Sequence, residues 1–349
     1  MDLSEQVGEA DEVRIPAFPD ILAARRRIGP YLQATPMWSY PLLNEVSGAT
    51  VYIKHENAQP TGAFKVRGGI NLLASMPQDQ RGRGVVVYST GNHAQSIAYA
   101  ARLTGAPCLV VMPERASDVK AAGCRALGAE VRLAGASMTE AAAEAARLAG
   151  SRGMRLVSAG DEPELVAGVA TCYLEMLEAV PDLDMIIVPV GGGTGAAGAC
   201  LVTQAVAPAC RVIAVQAEGA PAAHDCWRTG RMVTRPIRTA AEGLATGCGF
   251  RLTQAVLRRG LDDFVLVSDA QLRRAQRLMM SHAHTLAEAA GAAALAGALA
   301  ARGRVAGRRV GVACTGANAS AAEVAEILAA EPEPAQPAAV VPADPGRRV

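Results

Sequence analysis

Short, wholly apolar runs recur along this chain with alanine-rich segments of helix length between them, and this alternation restricts the fold more than any other feature. Residues 84–88 and 107–112 are short apolar runs with the look of buried strands, and 129–133 is read as a third buried strand, with Glu130 and Arg132 inside it. Segments 92–103, 118–127 and 138–148 lie between or after them and suit helices. The pattern restarts with a strand at 185–190, a glycine loop and a helix to about 205, then strands at 211–216, 263–267 and 309–313. A long helix is expected over 269–284 and an amphipathic one over 18–31. Strands alternating with helices of this length imply open parallel sheets covered by helices.

At 349 residues the chain is long enough for two such units. The reading is a large unit made of 1–78 and 161–330, a small unit at 79–160, and a disordered Pro/Ala/Glu-rich tail at 331–349. A net charge of +1 without a long basic run excludes a nucleic-acid or anionic-lipid partner held by long-range attraction. The polar start Met1-Asp2-Leu3-Ser4-Glu5 lacks the order of a secretory leader, and the apolar run 289–301 is too short to span a bilayer. Eight scattered cysteines without a Cys-x-x-Cys pair suit reduced thiols, so a cytoplasmic protein is expected.

Chemistry concentrates in loops that follow strands, where an open parallel sheet binds its ligands. Gly191-Gly192-Gly193-Thr194-Gly195 follows the strand ending near Val190, and its backbone N–H groups can converge on a phosphate at the start of the next helix. Ser89-Thr90-Gly91-Asn92-His93 offers hydroxyls, an amide and helix-start N–H groups to a carboxylate, although a plain helix cap also uses such residues. Cys314-Thr315-Gly316-Ala317-Asn318 follows the last strand, and Thr315 is placed to meet a ring nitrogen or to cap a helix.

One basic residue stands apart. Of 34 basic residues only Lys54, Lys65 and Lys120 are lysines, and Lys65 sits in the glycine-punctuated segment Pro60-Thr61-Gly62-Ala63-Phe64-Lys65-Val66-Arg67-Gly68-Gly69. An amine can lose its proton and attack a carbonyl, which a guanidinium cannot. Lys65 is therefore the candidate nucleophile, against the plainer reading of a surface lysine. Alternation in Val51-Tyr52-Ile53-Lys54 places Lys54 outward on a strand, and Lys120 falls in a polar helix. His282 and His284 do not share a helix face, and His224 lacks ligand spacing, so no metal site is expected.

Together these segments resemble the threonine dehydratase and serine racemase branch of fold-type II enzymes dependent on pyridoxal phosphate (PLP), an architecture like that of the tryptophan synthase β subunit. The matches run in order through Lys54-His55-Glu56-Asn57, Thr61 to Gly68, Ser89 to Gln95, Val188 to Gly193, Val215 to Ala222 and Thr315 to Asn318. The resemblance implies two open parallel-sheet domains with the cofactor between them. It also implies that Lys65 carries PLP as a Schiff base beside Phe64, and that Asn92 meets the phenolic oxygen. Gly191, Gly192, Gly193 and Thr194, with Gly195 behind them, would hold the phosphate, and Thr315 would meet the pyridine nitrogen. Ser89, Thr90, Asn92 and His93 would receive the substrate carboxylate. The implied activity is elimination of water and then ammonia from a β-hydroxy amino acid, L-threonine or L-serine by default, in a homodimer or homotetramer.

Three positions depart from the family pattern. Thr194 replaces a fourth glycine, and Gln216 replaces the glutamate with which some members bind a divalent cation. Thr90 stands where racemases carry a serine, which leaves an amino-acid racemase, or a β-replacement enzyme, as the alternative. A different reading takes Gly193, Gly195 and Gly198 as a G-x-G-x-x-G fingerprint of an NAD(P)-dependent oxidoreductase with Glu218 on the ribose. That reading leaves Lys65 unexplained.

Overall fold

Ten strands form two sheets in the computed structural model, which describes residues 13–329. The expected leaderless start and the tail from 331 lie outside the described residues. One sheet has six strands in the order β1-β2-β10-β7-β8-β9, and the other four in the order β5-β4-β3-β6. The first comprises β1 (Met37–Ser39), β2 (Thr50–Lys54), β7 (Met185–Pro189), β8 (Arg211–Ala217), β9 (Asp263–Val267) and β10 (Arg309–Ala313). The second comprises β3 (Val85–Tyr88), β4 (Cys108–Met112), β5 (Glu130–Leu133) and β6 (Arg155–Val157). All pairings are parallel except β1 with β2.

Successive residues of a strand face opposite ways, and the cores follow that period. Ile186 and Val188 enter a core under the helices Phe18–Ile28, Lys65–Ser75 and Pro163–Ala179, while Met185 and Ile187 enter a second core under Asp269–Ala283 and Ala289–Ala300. Burial on both faces explains why β7 and β4 are apolar without interruption. The buried strand expected at 129–133 is corrected: β5 is an edge strand, mostly exposed, and so carries Glu130 and Arg132. The 289–300 helix packs against β7, β8 and β9, so its small residues serve close helix–sheet packing.

The helix Lys65–Ser75 ties the two sheets together. It packs against Asn92–Thr104 from the smaller sheet's side and against Pro163–Ala179 from the larger one's. A Cβ on Gly69 would stand 2.5 Å from the Ser96 carbonyl oxygen, and one on Gly168 would stand 2.6 Å from that of Arg67. Glycine in a helix interior costs about 1 kcal/mol against alanine, and here backbone contact is what it permits.

Beneath this crossing lies a closed ionic cluster. Arg67, 1% exposed, donates from Nε (2.7 Å) and Nη2 (2.8 Å) to Glu56, from Nη1 (2.6 Å) and Nη2 (2.8 Å) to Glu175, and from Nη1 to Thr171. Lys54 Nζ donates to Glu175 at 2.6 Å and to the Thr35 carbonyl at 2.7 Å. The outward, solvated position expected for Lys54 is thus corrected: it is 1% exposed and balances the second carboxylate of the cluster. Arg67 and Lys54 hold the Glu56 carboxyl below its ordinary range against the opposing effect of burial. Glu56→Gln leaves two buried cations facing one carboxylate, and removal of one partner from such a cluster typically costs about 3–5 kcal/mol. The variant is expected to unfold at correspondingly lower urea; an unchanged midpoint would contradict this account of the cluster.

Candidate active site

Parallel strands deliver their C-terminal ends to one edge, and the four segments singled out from sequence meet there. The chain leaving β2 turns through Glu56–Ala58 into Phe64 and Lys65, and it is pinned to the segment after β10 by Phe64 N–H on the Thr315 carbonyl (3.0 Å) and Ala317 N–H on that of Gly62 (2.9 Å). Asn318 Nδ2 donates to Asn92 Oδ1 at 2.7 Å, which joins the edges of the two sheets.

Lys65 is the first residue of its helix, and its Nζ donates to the Thr194 hydroxyl at 2.8 Å, 5.3 Å from the centre of the Phe64 ring. Burial lowers the amine's pKa from 10.5 to about 8. Enough of it is then neutral near pH 8 to act as a nucleophile or base. The surface-lysine reading does not describe this side chain.

Two carbonyls of the glycine loop are taken up by threonine hydroxyls. The Thr246 hydroxyl donates to the Gly191 carbonyl at 3.2 Å and the Thr253 hydroxyl to that of Gly192 at 2.9 Å. Gly193 has φ +86° and caps the helix Thr194–Val206, whose first N–H groups have no partner within the helix. A Cβ on Gly191 would collide with the Gly243 carbonyl oxygen, so the loop can approach its neighbour only as glycine. The result is a concave set of donors at a helix N-terminus, suited to a phosphate.

Across from it, Ser89 and Thr90 are half-buried, and Ser89 Oγ accepts from Gly91 N–H at 3.2 Å. Asn92 begins the helix Asn92–Thr104, and its amide is held between Asn318 and Glu288, to which Nδ2 donates at 2.6 Å. His93 is buried with neither ring nitrogen bonded to protein. Burial, reinforced by the Lys65 charge, drives its pKa down to about 3, so the ring is neutral. The Thr315 hydroxyl donates to the Ala290 carbonyl at 3.2 Å. Gln216, fully buried, accepts from His224 N–H at 3.0 Å. Among the described residues, no group of three or more His, Cys, Asp or Glu is placed to hold a metal ion.

Glu288 escaped the sequence reading. It is the N-cap of the helix Ala289–Ala300, and its carboxylate meets Asn92 and lies against Gly316. Burial pushes its pKa up to about 7, the Asn92 hydrogen bond opposes this, and Glu323 and Glu242 push the same way. The available signal was an acid directly before a run of small residues. Lys120 in the helix Asp118–Ala126 pairs with Glu242 from the larger unit, so this cation also reaches the mouth of the site.

A lysine amine beside a glycine loop that opens a helix, between two largely parallel sheets, is the arrangement that a phosphorylated aldehyde would require. Residues 28–316 match the family model described as pyridoxal-phosphate dependent enzyme, and the chain belongs to that family. It falls in the threonine dehydratase and serine racemase branch and is a PLP-dependent lyase. It is 32% identical over 90% of its length to the L-threo-3-hydroxyaspartate ammonia-lyase of Saccharomyces cerevisiae, covering 97% of that protein. It is 35% identical to the L-threonine ammonia-lyase of Thermotoga maritima, over 86% of this chain and 75% of that one. Among solved structures, maize serine racemase aligns with a TM-score of 0.86 at 29% identity, over 90% of this chain and 97% of that chain. PLP is therefore the cofactor, and the oxidoreductase reading of Gly193, Gly195 and Gly198 falls away.

The Glu288 carboxyl yields a pH prediction. Its folded pKa near 7 lies above the ordinary 4.5, so as pH rises the unfolded chain ionises first and the native state loses stability between those values. Glu288→Gln, measured as the apoprotein by urea unfolding, should gain on the wild type from pH 4.5 to 7 and keep an advantage on the order of 3 kcal/mol above it. A difference independent of pH would show that Glu288 titrates normally.

Proposed function

We propose that this lyase removes water and ammonia from an L-β-hydroxy amino acid by α,β-elimination, with L-threonine and L-serine as first candidates. The observation that carries the proposal is the depressed Lys65 amine, 2.8 Å from Thr194 at the edge of the glycine loop.

The residues present fit PLP: a reactive amine, a steric cradle open only to glycine, and free donors at a helix start. Gly191, Gly192, Gly193, Thr194 and Gly195 hold the phosphate in this reading, and Phe64 packs beside the ring. Asn92, already oriented by Glu288 and Asn318, faces the phenolic oxygen. Thr315 meets the ring nitrogen once its one proton turns from the Ala290 carbonyl. When bound, PLP supplies the aldehyde that joins an amine and a ring that draws electrons from Cα.

The side chains then divide the work. Ser89, Thr90, Asn92 and His93 take the substrate carboxylate at the start of the Asn92–Thr104 helix, where the dipole and free N–H groups favour an anion. The neutral imidazole of His93 adds no competing charge. Lys65, once the substrate amine takes its place, would take the Cα proton, since burial biases its amine toward the neutral form. The proton taken from Cα passes to the β-hydroxyl, which leaves as water while the Cα–H electron pair forms the Cα–Cβ double bond. The enamine released then takes up water and gives a 2-oxo acid and ammonia. A neutral Thr315 hydroxyl would not hold a ring nitrogen protonated as a carboxylate would, so the bound group would draw electrons from Cα only moderately.

Racemisation would need a second base on the opposite face, and the candidate for it is Thr90, half-buried in the loop after β3. A second substrate reading rests on Lys120: a cation at the mouth suits the extra carboxylate of 3-hydroxyaspartate, which would compete with Glu242.

Residues 79–160 are proposed to move as the small unit against 1–78 with 161–330, and the Lys120–Glu242 pair is a contact between them. The eight free cysteines, seven of them buried, suit the cytoplasm. No described helix is long and apolar enough to cross a membrane. A homodimer or homotetramer is proposed from the family resemblance alone.

The holoprotein should show a visible absorption band that Lys65→Ala abolishes, together with at least 1,000-fold loss of 2-oxo acid release, a magnitude on the order of that for removing a covalent catalyst. An unchanged band would remove the scheme, while a retained band with only enantiomer interconversion would remove the lyase step. Lys120→Met decides the side chain: about tenfold loss of kcat/KM for 3-hydroxyaspartate relative to threonine supports the second reading, and equal effects reject it.

A further inference from the structure

We propose that Tyr173, on the helix Pro163–Ala179, is a further ligand of the cofactor phosphate, its hydroxyl donating a hydrogen bond from beneath the glycine loop. The phenol is 0% exposed, yet its oxygen finds no hydrogen-bond partner in the protein. A buried hydroxyl left unpaired is costly, and native structures rarely keep one without a use.

Its location supplies that use. Ala170 and Tyr173 are one turn apart on one helix face, and Gly198 and Gly195 are one turn apart on the Thr194–Val206 helix that packs against it. A Cβ on Gly198 would stand 2.9 Å from Ala170 Cα, and one on Gly195 would stand 2.9 Å from the Tyr173 hydroxyl oxygen. The two glycines therefore admit the helix and its phenol, which accounts for the part of the G-x-G-x-x-G pattern that phosphate binding left over. Gly195 is the second residue of its helix, where backbone N–H groups lack intrahelical acceptors. The Phe64 ring, beside the Lys65 amine, borders the same spot, with Cε2 3.2 Å from the same Cβ position. So the orphan hydroxyl lies beside the first turn of the helix that follows the glycine loop, bordered by the Phe64 ring. Burial, with Cys172 and Glu56 nearby, holds the phenol well above its usual range, and it remains an O–H donor at any working pH.

The inference rests on the reading of residues 191–195 as the phosphate cradle, and the test separates the two. Apoprotein of the wild type and of Tyr173→Phe is titrated with PLP and with pyridoxal, which lacks the phosphate, following the absorption band. Bound PLP is also observed by phosphorus NMR. The variant should bind PLP about tenfold more weakly, as for a lost hydrogen bond to a charged group, with pyridoxal affinity unchanged and the phosphorus resonance shifted. Its apoprotein should melt no lower than the wild type, since an unpaired buried hydroxyl has gone. An unaltered preference for PLP over pyridoxal in the variant would overturn the Tyr173 assignment alone. A wild type that binds both equally would overturn the cradle itself.

Discussion

Arg67 lies two residues beyond Lys65 in the same helix and carries its charge to a place with 1% exposure. A guanidinium there must have its donors met in fixed directions, and Glu56, Glu175 and Thr171 meet them from β2's outgoing turn and from the Pro163–Ala179 helix. The first turn of the lysine helix is consequently clamped from two sides. The reactive amine inherits that position, which is why a flexible four-carbon side chain still points at Thr194.

Close approach of backbones does the rest. Gly69 against Ser96, Gly168 against Arg67 and Gly198 against Ala170 draw four helices within a distance that side chains would prevent. The same closeness shields the amine of Lys65 and the ring of His93 from water, and it moves both pKa values down by a common cause. Glu288 is moved up by that cause, so one dry site holds an amine, an imidazole and a carboxyl all biased toward neutrality. Such a site suits proton transfer near neutral pH better than a wet one.

Several features were legible in the residues themselves. Uninterrupted apolar runs marked β3, β4, β7, β8 and β10, because strands covered on both faces need no polar alternation. The glycine loop and the lysine among arginines marked the chemistry. The three-residue strands β1 and β6 escaped notice, since so few residues carry no period. Lys54 was misjudged because alternation along a strand says which face a residue takes, and says nothing of whether a helix covers that face.

By itself the sequence determined the order of strands and helices and the loops at their ends, and it singled out Lys65 as the candidate nucleophile, because those depend on near neighbours and on residue type. Tertiary structure alone decided which polar groups share a dry space. Glu288 reaches Asn92 across 196 residues, and Lys65 reaches Thr194 across 129. Tyr173 comes under Gly195 only when two helices cross. Such pairings follow from how strands are ordered in a sheet and how tightly helices pack, and no local pattern encodes either.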